Sequence, residues 1–178
     1  MSLLQSDLWD GKIYVGGWRD GGSTYDVVEP ATGETLGSLG QASPDDVLLT
    51  AQEASAAQKS WAAVNPLERA AVLRRAGDLW RAHAEELAGW IVREAGSIPP
   101  KAQLEIDSAA EICFESAALA THPRGEVLAS AEPRWSFARR VPAGVVSVIA
   151  PINFPLILSI RSVAPALALG NAVLLKPD

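Results

Sequence analysis

Between Arg140 and Arg161 the sequence carries no charged side chain, and this feature restricts the possible folds most. The stretch is long enough to cross a bilayer as a helix. Pro142, Gly144, Pro151, Asn153 and Pro155 interrupt it, however. Each proline removes a backbone donor and crowds the turn before it. In lipid the freed carbonyls would go unpaired, so the sequence predicts no membrane span. The apolar residues must instead be buried by protein. Val145-Val146-Ser147-Val148-Ile149 is a nearly continuous β-branched run, suited to a strand covered on both faces of a parallel sheet. Pro155 opens a helix that ends at Gly170, with Pro165 as an expected kink. Ala172-Val173-Leu174-Leu175 is a second buried strand. Strand, helix and strand at this spacing make one βαβ unit from Gly144 to Lys176. One such unit does not complete a parallel sheet, so the sequence reads as cut short at Asp178.

The upstream sequence has a different texture. Lys12-Ile13-Tyr14-Val15, 25–29 and 35–39 read as short strands separated by Gly16-Gly17 with Trp18 after it, by Asp20-Gly21-Gly22, and by Pro30-Ala31-Thr32-Gly33. This is an antiparallel β lead-in. Ser43-Pro44-Asp45-Asp46 then starts a helix that runs to about Trp61, with a serine cap, proline at the first helical position and early acids. Asn65-Pro66-Leu67-Glu68 starts another in the same way. Val72, Leu73, Ala76, Leu79, Trp80, Leu87, Trp90 and Ile91 recur at helical spacing, with a break near His83 and a stop at Gly96. Pro99-Pro100 open a third helix reaching roughly Ala120. After a connector at 122–125, the segment 126–141 is extended around a turn at Glu132-Pro133, with at least one face exposed. The expected division is 1–124 for the β lead-in and helices, 125–141 for an extended arm, and 142–178 for the βαβ unit.

Composition sets the outer limits. The 178 residues are 48% hydrophobic and 20% charged, which is enough apolar material for a core. A formal charge of −6 argues against a nucleic-acid partner, which needs clustered positive charge. A lone cysteine, Cys113, and the histidines His83 and His122 supply neither a disulfide framework nor a metal centre. The N-terminus carries Asp7 and Asp10 and lacks a long apolar core, so it does not read as a secretory signal. A cytoplasmic protein is the expectation.

The segment Ile149-Ala150-Pro151-Ile152-Asn153-Phe154-Pro155 lies where ligands bind in open α/β sheets, at the carboxyl end of a strand. Its prolines make it rigid. Asn153 either caps the helix that follows or donates its amide to a developing oxyanion. Lys176, at the end of the second strand, is either a solvated charge or a donor to a ribose hydroxyl or phosphate in the same crevice. Phe154, Leu158 and Arg161 are spaced to share one helix face beginning beside Asn153. That face either packs into the core or walls an apolar substrate.

These residues carry a resemblance. Pro142-x-Gly144-Val145-Val146, Pro151-x-Asn153-Phe154-Pro155 and Pro165-Ala166-Leu167-Ala168-x-Gly170-Asn171-x-Val173-x-x-Lys176-Pro177 are similar to the aldehyde dehydrogenase superfamily. Pro30-Ala31-Thr32-Gly33-Glu34, the segment 54–61 and Glu68-Arg69-Ala70-Ala71-Val72-Leu73 extend the likeness over almost the whole chain. Within the superfamily, residues 136–142 and 157–178 most resemble benzaldehyde dehydrogenases. The resemblance implies an α/β fold with a Rossmann-type cofactor domain, a catalytic domain and a β arm used to form homo-oligomers. It implies a mechanism in which a cysteine thiolate attacks the aldehyde and the thiohemiacetal gives a hydride to NAD, or to NADP. A glutamate then activates water to release the carboxylic acid. Asn153 matches the family's oxyanion donor. Ile149, Ala150, Pro151 and Ile152 match the main-chain cofactor contact, and Lys176 matches the adenosine-ribose contact. Ile152 stands where the family usually has an aromatic residue. Phe154, Leu158 and Arg161 are the corresponding substrate-wall candidates, for an aromatic aldehyde such as benzaldehyde.

The family's nucleophile, base and nicotinamide-side glycine motif have no match before Asp178. Cys113 falls on a predicted helix between Ile112 and Phe114 and reads as a small buried apolar residue. The chain by itself is therefore expected to be inactive. Two readings stand side by side: part of an NAD(P)-dependent aldehyde dehydrogenase, or a truncated structural fragment with unpaired sheet edges.

Overall fold

The computed structural model describes residues 3–178, and residues 1–2 of the expected amino-terminal unit lie outside the described residues. The elements run α1 (Ser6–Trp9), β1 (Lys12–Tyr14), β2 (Trp18–Asp20), β3 (Ser23–Val28), β4 (Thr35–Gln41), α2 (Pro44–Ala63), α3 (Pro66–Ala82), α4 (Ala84–Ala95), α5 (Pro99–Leu119), β5 (Gly125–Leu128), β6 (Ser136–Arg139), β7 (Val145–Ile149), α6 (Pro155–Ala168) and β8 (Ala172–Lys176). The strands pair as β1 with β2, β3 with β4 and β5 with β6, all antiparallel, and β7 with β8, parallel. This is the α/β arrangement that the sequence predicts.

Two lead-in elements were not expected, the short α1 and the strand β2. The second has a visible cause. Val15 N donates to Gly17 O at 2.8 Å, which closes the turn. The Tyr14 and Trp18 rings then meet edge to face with centroids 5.3 Å apart. A cross-strand aromatic pair of this kind turns a loop into a ladder.

The helix starts follow their caps. Ser43 and Asp46 form a reciprocal capping box, and the Asn65 side chain accepts from Leu67 N at 2.9 Å. His83 ends α3 and precedes α4, and Gly96 closes α4 in the left-handed conformation at φ 62°. Alanine-rich faces of α3, α5 and α6 meet in the core, where Ala70, Leu73, Cys113, Ala117, Ala164 and Ala168 are buried. Small side chains let these helices approach closely. At Gly77 of α3 a Cβ would lie 2.8 Å from the Phe114 ring, so any larger residue here would have to displace that ring. Val72 and Leu79, expected on the apolar face, are instead exposed.

The arm is a β5–β6 hairpin whose Val127, Trp135 and Phe137 all stand exposed. In the βαβ unit, α6 continues as helix past Pro165 to Ala168. The expectation that β7 is buried on both faces is corrected. Val148 is buried, whereas the alternating Ser147 and Ile149 are exposed, because among the described residues they border only an open groove with Leu158 and Arg161 of α6.

The end of α6 is fixed from α2 and α3. Trp61 Nε1 donates to Leu167 O and Gln58 Nε2 to Gly170 O, each at 2.9 Å. Arg69 Nε donates to Ala168 O at 3.2 Å. Asn171, itself buried, accepts from Gly144 N and donates to Ala166 O, both at 3.0 Å, tying the start of β7 to the last turn of α6. These bonds set the parallel register that brings Ile149 opposite Lys176.

Candidate active site

The carboxyl ends of β7 and β8 lie side by side, and Ala150 N donates to Lys176 O at 3.0 Å. From this edge the chain leaves the sheet through Pro151, turns at Ile152-Asn153, and enters α6 at Pro155. Ile149 is 75% exposed and Ile152 50% exposed, so two branched apolar side chains border an edge that also carries the exposed Lys176. The five candidates Ile149, Ala150, Pro151, Ile152 and Lys176 thus form one contiguous edge, with Ala150 the buried member.

Asn153 is exposed at the apex of the turn. It does not cap α6. Phe154 occupies the N-cap position with φ −143°, and no side chain at that position bonds the helix. The first carboxylate to reach these amides comes from another helix. Glu105 of α5 is fully buried, and its Oε2 accepts from Leu156 N at 2.9 Å and Ile157 N at 3.3 Å. Its other oxygen accepts from Lys101 Nζ, which also bonds Ser97 Oγ at 2.9 Å. Pro155, the first helical residue, has no N–H to satisfy. The anion at this helix start is therefore supplied by Glu105, with the dipole favouring it.

The three substrate-wall candidates are brought together only in part. Leu158 and Arg161 line an open groove with Ile149 and Pro151, along the β7 side of α6. Phe154 precedes the helical residues, so it falls off the face that its spacing implies. Its ring lies over Lys101 Nζ at 4.7 Å from the centroid.

Cys113 is 1% exposed within the α3–α5–α6 core, and burial pushes its thiol pKa up. A buried, protonated thiol is a poor nucleophile. Among the described residues no group of three or more potential metal ligands occurs, and no helix is long and apolar enough to cross a membrane.

Sequence reasoning passed over Lys101, Glu105 and the structural roles of Arg69 and Asn171. A signal for Glu105 was present. It sits among Ala102, Ile106 and Ala109 on the face of α5 that faces the core, where an acid needs a partner.

Comparison with known proteins identifies the family. The family model described as "Aldehyde dehydrogenase family" matches residues 18–178. A vanillin dehydrogenase of an Amycolatopsis species is 61% identical across 100% of this chain, which covers 37% of that protein. A benzaldehyde dehydrogenase [NAD(+)] of Pseudomonas putida is 47% identical across 98% of this chain and 36% of its own length. The crystal structure of an NAD-dependent benzaldehyde dehydrogenase from Corynebacterium glutamicum superposes with a TM-score of 0.91 at 39% identity, over 99% of this chain and 39% of that one. The chain thus spans a little over a third of the length of these relatives, and it belongs to the aldehyde dehydrogenase family.

Proposed function

We propose that the whole protein oxidises an aromatic aldehyde to its carboxylic acid with a nicotinamide dinucleotide as acceptor, and that this chain supplies the oxyanion donor and part of the cofactor edge. The observation that carries this reading is the uncommitted Asn153 on a rigid turn, beside the paired carboxyl ends of β7 and β8. The names of the relatives, vanillin and benzaldehyde dehydrogenase, favour an aromatic substrate.

The edge suits a dinucleotide. Ile149 and Ile152 offer exposed apolar area to a flat ring, and Lys176 offers an ammonium to ribose hydroxyls or a phosphate. When bound, the dinucleotide supplies hydride acceptance. Asn153 donates its side-chain N–H to the aldehyde oxygen as that oxygen gains negative charge. The backbone on either side of it is fastened before the reaction begins, by Ala150 N on Lys176 O and by Glu105 on the first turn of α6, which limits the reorganisation that opposes it. Cys113 is buried away from this turn and does not serve as the attacking group.

Leu158 and Arg161, with Phe154 nearby, form the proposed aromatic wall. The test is dinucleotide reduction by the whole protein, with a benzaldehyde-type substrate and a short aliphatic one. Leu158→Ala should lower kcat/KM about tenfold more for the aromatic substrate, as loss of apolar pocket contact does. Equal losses on both substrates would remove Leu158 from the wall, and no reduction with either dinucleotide would sink the whole reading.

Lys176 has its own readout. Lys176→Ala should raise the KM for the dinucleotide about 10–100-fold, the weight of a hydrogen bond from a charged donor, with kcat little changed. An unchanged KM would make Lys176 a solvated charge.

A further inference from the structure

We propose that Glu105 and Lys101 of α5 are positioning residues that aim the Asn153 amide. The inference rests on the oxyanion reading of Asn153 and deepens it. Residue 153 itself is exposed, and its own neighbours leave the turn with no side-chain cap. Direction must therefore come from where the chain is held on either side. Ahead of Asn153, Ala150 N is bonded to Lys176 O. Behind it, three successive points are held from α5. Phe154 lies against the Lys101 ammonium, and the Leu156 and Ile157 amides are both held by one Glu105 oxygen. The proline rings at 151 and 155 fix two of the intervening φ angles. Only the turn residues between them keep freedom.

Glu105 is suited to this task by its environment. It is 0% exposed, so water does not compete for its oxygens. Lys101, whose side chain is 23% exposed, neutralises it and holds the carboxylate plane against α6. Rotation of that plane would release both amides together and let the first turn of α6 fray, carrying Phe154 and Asn153 with it. A displacement of about 1 Å at a catalytic group is enough to cost up to 10²-fold in rate.

The experiment is a double-mutant cycle in the whole protein, using Glu105→Gln, Lys101→Met and Asn153→Ala, with kcat, KM and Tm measured for each. Glu105→Gln keeps shape and one acceptor oxygen but turns an NH2 group towards Lys101. It should lower kcat about tenfold with KM for the aldehyde nearly unchanged, and lower Tm as well, because the Lys101 ammonium loses its buried carboxylate. Added to Asn153→Ala, it should cost less than about twofold more, because a positioning residue has nothing left to position. Lys101→Met should show the same non-additivity, and it decides the matter if Glu105→Gln does not fold. Wild-type kcat in the single variants, or full multiplicative losses in the doubles, would overturn the positioning role while leaving Asn153 intact. A normal kcat for Asn153→Ala alone would instead overturn the oxyanion reading, and the positioning role with it.

Discussion

Asn153→Ala in the whole protein is expected to lower kcat by about 10²–10³-fold, the usual consequence of losing one oxyanion donor. The expectation follows from where the amide is and from what it is not doing. Had Asn153 capped α6, its removal would reduce stability by about 1 kcal/mol and leave catalysis largely alone. The structure assigns the helix start to Glu105 instead, with Phe154 at the N-cap. Loss of the Asn153 amide should therefore leave Tm nearly unchanged. KM for the aldehyde should also change little, since the donor matters most as charge develops on the oxygen. Asn153→Asp is the sharper companion. It keeps the shape but replaces the donor by a negative charge facing a developing anion, and it should be at least as slow as the alanine variant. A variant with normal kcat and a lowered Tm would mean that the side chain serves the fold after all.

How much of this was legible in the sequence depends on the range of the interaction. The βαβ unit could be read because its signals are local: a β-branched run, a proline at the first helical position, a glycine after the last. The helix starts at Ser43 and Asn65 were equally local, since a cap bonds amides two or three residues away. The capping role of Asn153 could not be judged from the sequence, because the group that holds this helix start is Glu105, 51 residues from Leu156 in the chain. The Phe154–Leu158–Arg161 face was read from spacing that assumes helical geometry at all three. Phe154 lies one residue too early for that, and a φ of −143° puts its ring on the α5 side. Burial of β7 on both faces was inferred from composition, yet composition reports only what a strand can tolerate. What covers each face depends on the other layers present.

Arg69→Met should destabilise the whole protein by roughly 2–4 kcal/mol, since it leaves buried carbonyls unpaired at about 1–3 kcal/mol for such a group. Arg69 is 1% exposed and has no carboxylate partner among the described residues. Two of its three nitrogens bond carbonyls instead, while Nη2 is buried without a hydrogen-bond partner among the described residues. Nη1 donates to Val64 O and, at 3.4 Å, to Ala62 O, and Nε donates to Ala168 O at 3.2 Å. Ala62 and Val64 belong to the end of α2, and Ala168 is the last residue of α6. Both helix ends present carbonyls without helical partners and the negative pole of the macrodipole. One guanidinium thus satisfies two helix termini and fastens the βαβ unit to the helical layer. Burial and the neighbouring Arg124 charge lower its pKa, but a guanidinium stays protonated throughout the range in which proteins fold. Methionine would fill much of the volume and leave these carbonyls dry and unpaired. Lysine should rescue only part of the loss, because its single ammonium does not reach both helix ends in the planar geometry that a guanidinium provides. Denaturant unfolding of the wild type and the two variants checks this. A Met variant within about 1 kcal/mol of the wild type would mean that surrounding water, not Arg69, satisfies the helix ends.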